Sequence, residues 1–169
     1  MSNAPEACPN CGNREDFYRD CQGRWIHPEC GNMGNGMNSE DVKNLEKRIV
    51  GKRVISVEGS RLLLDDGTVL SLYMSDGDCC AYANGAWLIN PDKLEAVITH
   101  ADFKLLEDRE FNGDGSTSHA QITILHNQNP LALADCYADD GNGGYYFSVL
   151  SLNVIVPDVE RFDIEVVSA

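Results

Sequence analysis

Arg61-Leu62-Leu63-Leu64, Asp65-Asp66-Gly67, Thr68-Val69-Leu70-Ser71-Leu72-Tyr73-Met74: this stretch reads as strand, turn and returning strand. Asp-Asp-Gly supplies the turn chemistry of a tight hairpin, and apolar and polar residues alternate along the returning strand, the period of a half-buried sheet. Working outward, Arg53-Val54-Ile55-Ser56-Val57 is a preceding strand across Glu58-Gly59-Ser60. Residues 98–111 and Ala120-Gln121-Ile122-Thr123-Ile124-Leu125-His126 flank the soft turn Asn112-Gly113-Asp114-Gly115-Ser116, and 131–137 and 145–156 flank a glycine-rich segment at 139–144. The last two are expected to pair. Helix signals are confined to 40–50 and a turn at Pro91-Asp92-Lys93-Leu94-Glu95. Many short strands joined by glycine turns predict a mainly β body, an antiparallel barrel or sandwich.

The one helix is short. Ser39 reads as its N-cap, Glu40 and Asp41 face the positive helix end, Val42, Leu45 and Ile49 share a face, and Gly51 is the stop. Before it, Gly31-Asn32-Met33-Gly34-Asn35-Gly36-Met37-Asn38 reads as a flexible linker with nothing to pack. The chain thus divides into an N-terminal segment (1–31), a linker (32–38), a helix (39–51) and a β-rich body (52–169).

The N-terminal segment carries a metal signature. Cys8-Pro9-Asn10-Cys11-Gly12 and His27-Pro28-Glu29-Cys30-Gly31 each hold two ligand side chains in a turn with proline inside and glycine after it. Between them, 16–20 and 24–26 are strand-like around Cys21-Gln22-Gly23. Two knuckles joined by a hairpin bring four ligands to a tetrahedron, the requirement of a closed structural zinc site with ligands Cys8, Cys11, His27 and Cys30. The layout resembles a zinc ribbon, with His27 where the second knuckle usually has cysteine. So small a segment buries little apolar surface, so zinc is expected to supply most of its folding free energy. An odd count of seven cysteines and no secretory leader argue for thiols and metal ligands rather than disulfides, hence a cytoplasmic protein. No apolar run approaches the roughly 20 residues that span a bilayer, so no membrane partner is expected.

The formal net charge is −14. All of it belongs to residues 54–169, because the −3 of residues 1–40 and the +3 of residues 41–53 cancel. Such a body repels phosphate backbones at long range, and appreciable binding of duplex DNA is not expected. Acidic loops at Asp76 and Asp78, Asn112 and Asp114, and Asp139 and Asp140 do not continue into a calcium-binding loop, and turn chemistry accounts for them. Phosphate-cradling, nucleophile-elbow and metalloprotease motifs are absent.

From about residue 49 to 156 the chain resembles a family of small proteins of uncharacterised function from actinobacterial phages and their hosts. The likeness rests on Gly51-Lys52-Arg53-Val54, Leu64-Asp65-Asp66-Gly67-Thr68, Asp78-Cys79-Cys80-Ala81, Ile98-Thr99 and the glycine turn entering Tyr145-Tyr146-Phe147. It implies a phage or prophage accessory protein acting in the host cytoplasm, to whose common core the ribbon is an addition. It names no reaction.

Cys79-Cys80 is the most suggestive chemistry of the body. Successive side chains on a strand point to opposite faces, and buried structural thiols are the favoured reading. A ligand role, a second metal shared with Cys136 and a histidine, and a thiol activated by His100, His119 or His126 are the alternatives. Irregular glycine-rich backbone beside aromatics on a rigid β scaffold commonly displays function, so a ligand site is expected where Asp78, Cys79 and Cys80 meet Tyr145 and Tyr146. The functional expectation is a non-enzymatic, zinc-containing binding protein for a host protein or small ligand. The first alternative is a nucleic-acid-linked regulator reading through Arg14, Arg19 and Arg24 with Phe17, Tyr18 and Trp25 of the ribbon. A cysteine enzyme is the more distant one.

Overall fold

The computed structural model describes residues 35–141 and 146–169, together with the backbone of two short strands near the N-terminus. Those two, β1 (Tyr18–Arg19) and β2 (Trp25–Ile26), pair antiparallel with Tyr18 opposite Ile26. The hairpin expected inside the ribbon is therefore present in the backbone. Cys8, Cys11, His27 and Cys30, the expected zinc ligands, lie outside the described residues. The chain separates into two compact units, residues 1–35 and 36–169.

The larger unit opens with α1 (Ser39–Ile49). Its N-cap is Asn38, not Ser39: the Asn38 side chain accepts the N–H groups of Glu40 and Asp41, and Asp41 returns a bond to the Asn38 N–H. Asparagine and serine cap almost equally well, so Asp41, placed to close a reciprocal box on residue 38, decides between them. Leu45 and Ile49 are fully buried, and Gly51 takes a φ of 88° just beyond the helix, where a left-handed residue ends it. The stretch read as a linker ends in packed residues. Met37 belongs to the core, and the backbone at Gly36 runs so close to the Phe103 ring that a Cβ there would overlap it.

Nine strands follow: β3 (Val54–Glu58), β4 (Arg61–Leu64), β5 (Val69–Gly77), β6 (Tyr82–Ile89), β7 (His100–Phe111), β8 (Ser116–His126), β9 (Asn129–Asp139), β10 (Ser148–Val156) and β11 (Glu160–Ser168). They form two antiparallel sheets, ordered β11-β10-β5-β4-β3 and β6-β9-β8-β7. The body is mainly β, and the two sheets remain open, which fits a sandwich. A barrel is not formed.

Leu62, Leu64, Leu70, Leu72, Leu150 and Leu152 of the first sheet meet Ala120, Ile122, Ala134 and Trp87 of the second in one core. The leucines of the first sheet pack against alanines, Ile122 and Trp87 of the second, so side chains of unequal size interdigitate between the layers. Gly85 marks the closest approach, since a Cβ there would press on Leu72 and Leu150. Helix α1 spans one side: Glu46 accepts the Ala101 N–H of β7 at 2.9 Å, and Arg48 pairs with Glu160 of β11. The opposite side is held by the Trp87 N–H donating to Gly59 in the β3–β4 turn.

Two expectations need correction. β9 and β10 do not pair; β9 lies between β6 and β8, whereas β10 lies between β5 and β11. The chain therefore passes from one sheet to the other between β9 and β10. Strand β6, with Asn84-Gly85 at its centre, carries a turn-like dipeptide and was not among the expected strands.

Candidate functional site

Two connections cross between the sheets at one end of the body. Residues 78–81 lead from β5 to β6, and residues 140–147 lead from β9 back to β10. Reciprocal bonds hold them together: Asp78 N–H donates to the Phe147 carbonyl at 2.9 Å, and Phe147 N–H donates to Asp78 Oδ2 at 3.1 Å. Gly141 has φ +78°, and a Cβ on it would collide with the Cys80 carbonyl. Only glycine satisfies both the left-handed torsion and that approach.

Ser148 fastens the crossover from inside. Its fully buried hydroxyl accepts the Asp139 N–H at 3.1 Å and lies 2.9 Å from the carbonyl oxygens of Tyr82 and Asp139. One side chain thus ties the ends of β9, β10 and β6. Asp140, also buried, accepts the Ser116 N–H at 2.9 Å and fixes the start of β8.

The outer end of this cluster is chemically exposed. Cys79 and Cys80 are both exposed, free thiols with sulfurs 3.5 Å apart, which corrects the favoured reading of buried structural thiols. Face alternation applies to strands, and this pair sits in the turn between two of them. The hydrogen bond to Cys80 and the charges of Cys80 and Asp78 push the Cys79 thiol above its ordinary value. The sulfurs of Cys80 and Cys79 likewise push up the Tyr146 phenol, which hydrogen-bonds Cys80. Of the sequence-predicted ligand residues, Asp78, Cys79, Cys80 and Tyr146 come together here. Tyr145 lies outside the described residues.

The thiols have no activating partner of the expected kind. His119 Nδ1 is 2.6 Å from Glu107 Oε2, His126 Nδ1 is 2.7 Å from the Val97 carbonyl, and His100 pairs with Glu46. Cys136 is buried on β9, and burial pushes its thiol up to about 12. Among the described residues, no three histidine, cysteine or carboxylate side chains converge as a metal centre.

Residue-by-residue reading missed the row beside the crossover. Asp139 Oδ1 accepts the Gly141 N–H and Oδ2 accepts the Tyr137 hydroxyl, each at 2.6 Å. The Tyr137 ring lies 4.8 Å from that of His119, whose imidazole meets Glu107. The hydrogen bond to Asp139, with burial and nearby negative charge, pushes the Tyr137 phenol up to about 12. The available signal was the period of two that puts 137 and 139 on one face of β9. A separate cleft of about 260 Å³, lined by Leu88, Ile89, Pro130 and Leu133 among others, lies at the far end of β6 and β9. It falls below the roughly 300–1,000 Å³ usual for small-molecule pockets.

Residues 47–152 match the domain of unknown function DUF7448, and the chain belongs to that family. The match runs from within α1 to within β10, so it contains both crossover connections and excludes the N-terminal hairpin. No curated protein and no solved structure matches the chain. No helix among the described residues is long and apolar enough to cross a membrane.

Proposed function

We propose that this protein is a non-enzymatic binding protein whose β body engages a host protein or small ligand through the two sheet-crossing connections, with Asp78, Cys79, Cys80 and Tyr146 at the contact surface. The observation that carries the reading is the seating of Gly141 on the Cys80 carbonyl. It joins two irregular segments into one platform that presents two exposed thiols beside the half-buried Tyr146. Binding is favoured over catalysis because the platform raises the Cys79 thiol and the three histidines of the body have other partners. A nucleophilic thiol needs the opposite setting.

The N-terminal segment is proposed to be a structural zinc ribbon held by Cys8, Cys11, His27 and Cys30, supported by their spacing. The protein is proposed to be a phage or prophage accessory factor acting in the host cytoplasm, a reading supported by the resemblance carried by Gly51-Lys52-Arg53-Val54 and Asp78-Cys79-Cys80-Ala81. The acidic body is proposed to leave duplex DNA alone.

Affinity capture from host extract tests the binding reading. Wild-type protein is compared with Tyr146→Ala and with a Cys79→Ser, Cys80→Ser double variant of matched melting temperature. Loss of a captured ligand with either variant supports the reading. Equal retention by wild type and both variants contradicts it.

A further inference from the structure

We infer that Cys79 and Cys80 form a two-sulfur chelate for a soft, thiophilic d10 cation of the zinc and cadmium class, with its remaining coordination positions open. This deepens the binding reading above and rests on it, because it names a ligand class for the same platform.

The geometry carries the inference. Two sulfurs at about 2.3 Å from a tetrahedral ion stand roughly 3.8 Å apart. The two thiols are already 3.5 Å apart and exposed, so a small rotation about the side-chain torsions admits an ion between them. Thiolate pairs select such ions over calcium or magnesium, which prefer oxygen.

Oxidation is the competing fate of neighbouring thiols, and it fits this pair less well. Consecutive Cα atoms across a trans peptide are about 3.8 Å apart, short of the roughly 4.4–6.8 Å that disulfides span, so a bond between adjacent cysteines is strained and easily reduced. The turn also resists the backbone shift such a bond requires, because the Cys80 carbonyl is packed against Gly141.

Electrostatics act in the same direction as the geometry. Asp78, next to the pair in the chain, adds negative charge that draws in a cation. On binding, one divalent ion takes two S–M bonds, and the two S–H protons leave to solvent. No electron is transferred. Among the described residues no third protein donor of the usual kind converges, so the other positions remain for water or a donor from a partner.

The test is a cadmium titration of the reduced, full-length, zinc-loaded chain, read by sulfur-to-cadmium charge-transfer absorbance and by residue-resolved alkylation. Wild type is expected to take up one more equivalent than Cys79→Ser and than Cys80→Ser, both with unchanged melting. Bound cadmium is expected to slow alkylation of Cys79 and Cys80 at least tenfold. Equal stoichiometry in wild type and the serine variants, unchanged alkylation, or full binding by one single variant overturns the inference. These outcomes concern the cation alone; the platform itself stands or falls on whether captured ligand is lost with Tyr146→Ala.

Discussion

Gly141 packs its α-carbon against the carbonyl of Cys80, with φ +78° and no room for a Cβ. This contact couples the two connections that carry the chain between the sheets. Because the backbone of one supports the backbone of the other, the exposed side chains above it share one frame.

Substituting alanine at Gly141 tests that coupling. The left-handed torsion costs a non-glycine residue roughly 1–2 kcal/mol, and overpacking adds about 1–3 kcal/mol. Gly141→Ala is expected to destabilise the body by about 2–5 kcal/mol in denaturant unfolding. The same change at Gly113, whose φ is +97° but whose Cβ position is open, is expected to cost only the torsional part. Equal effects at both sites would show that the Cys80 contact contributes nothing.

Tyr137 gives a pH-dependent signature. Its phenol is pushed up to about 12, first by the Asp139 hydrogen bond. The folded state therefore keeps a proton that the unfolded state releases near pH 10. The stability this provides is fully present below about pH 10 and is lost as pH rises toward about 12. Phenolate absorbance should show Tyr137 among the late-titrating tyrosines, and Asp139→Asn should bring its share back toward ordinary values. Late titration unchanged in Asp139→Asn would contradict the assigned cause.

Zinc is expected to matter to the N-terminal segment alone. Protein purified without chelator should contain about one zinc per chain, the number one four-ligand site takes. Cys8→Ser should abolish that zinc while leaving the melting of the β body unchanged, since the body has its own core. Zinc-free protein, or a body that melts early in the variant, would overturn this.

Much of the body was legible because period-two alternation survives where one face is buried and the other wet. β4 and β5, with Leu62, Leu64, Leu70 and Leu72 turned inward, announce themselves. β6 did not, because its inward positions are Ala83, Gly85 and Trp87. A glycine chosen for close sheet packing looks in sequence like a turn. β11 has a clear signal in Phe162, Ile164 and Val166 alternating with charges. The partner of β10 was misassigned because a glycine-rich segment is equally compatible with a hairpin and with a crossover. At the candidate site, Asp78, Cys79, Cys80 and Tyr146 were nameable from residue type. The exposure of both thiols and the buried clamp at Ser148 depend on which backbone ends meet, and no local pattern encodes that.

The measurement that tests the central claim most directly is amide hydrogen exchange of the full chain with and without a ligand captured from host extract. If the two connections are one binding platform, residues 78–81 and 140–147 gain protection together, and Tyr146→Ala abolishes the gain in both. Protection confined to one connection, or falling elsewhere on the sandwich while both exchange as in the free protein, would contradict the account.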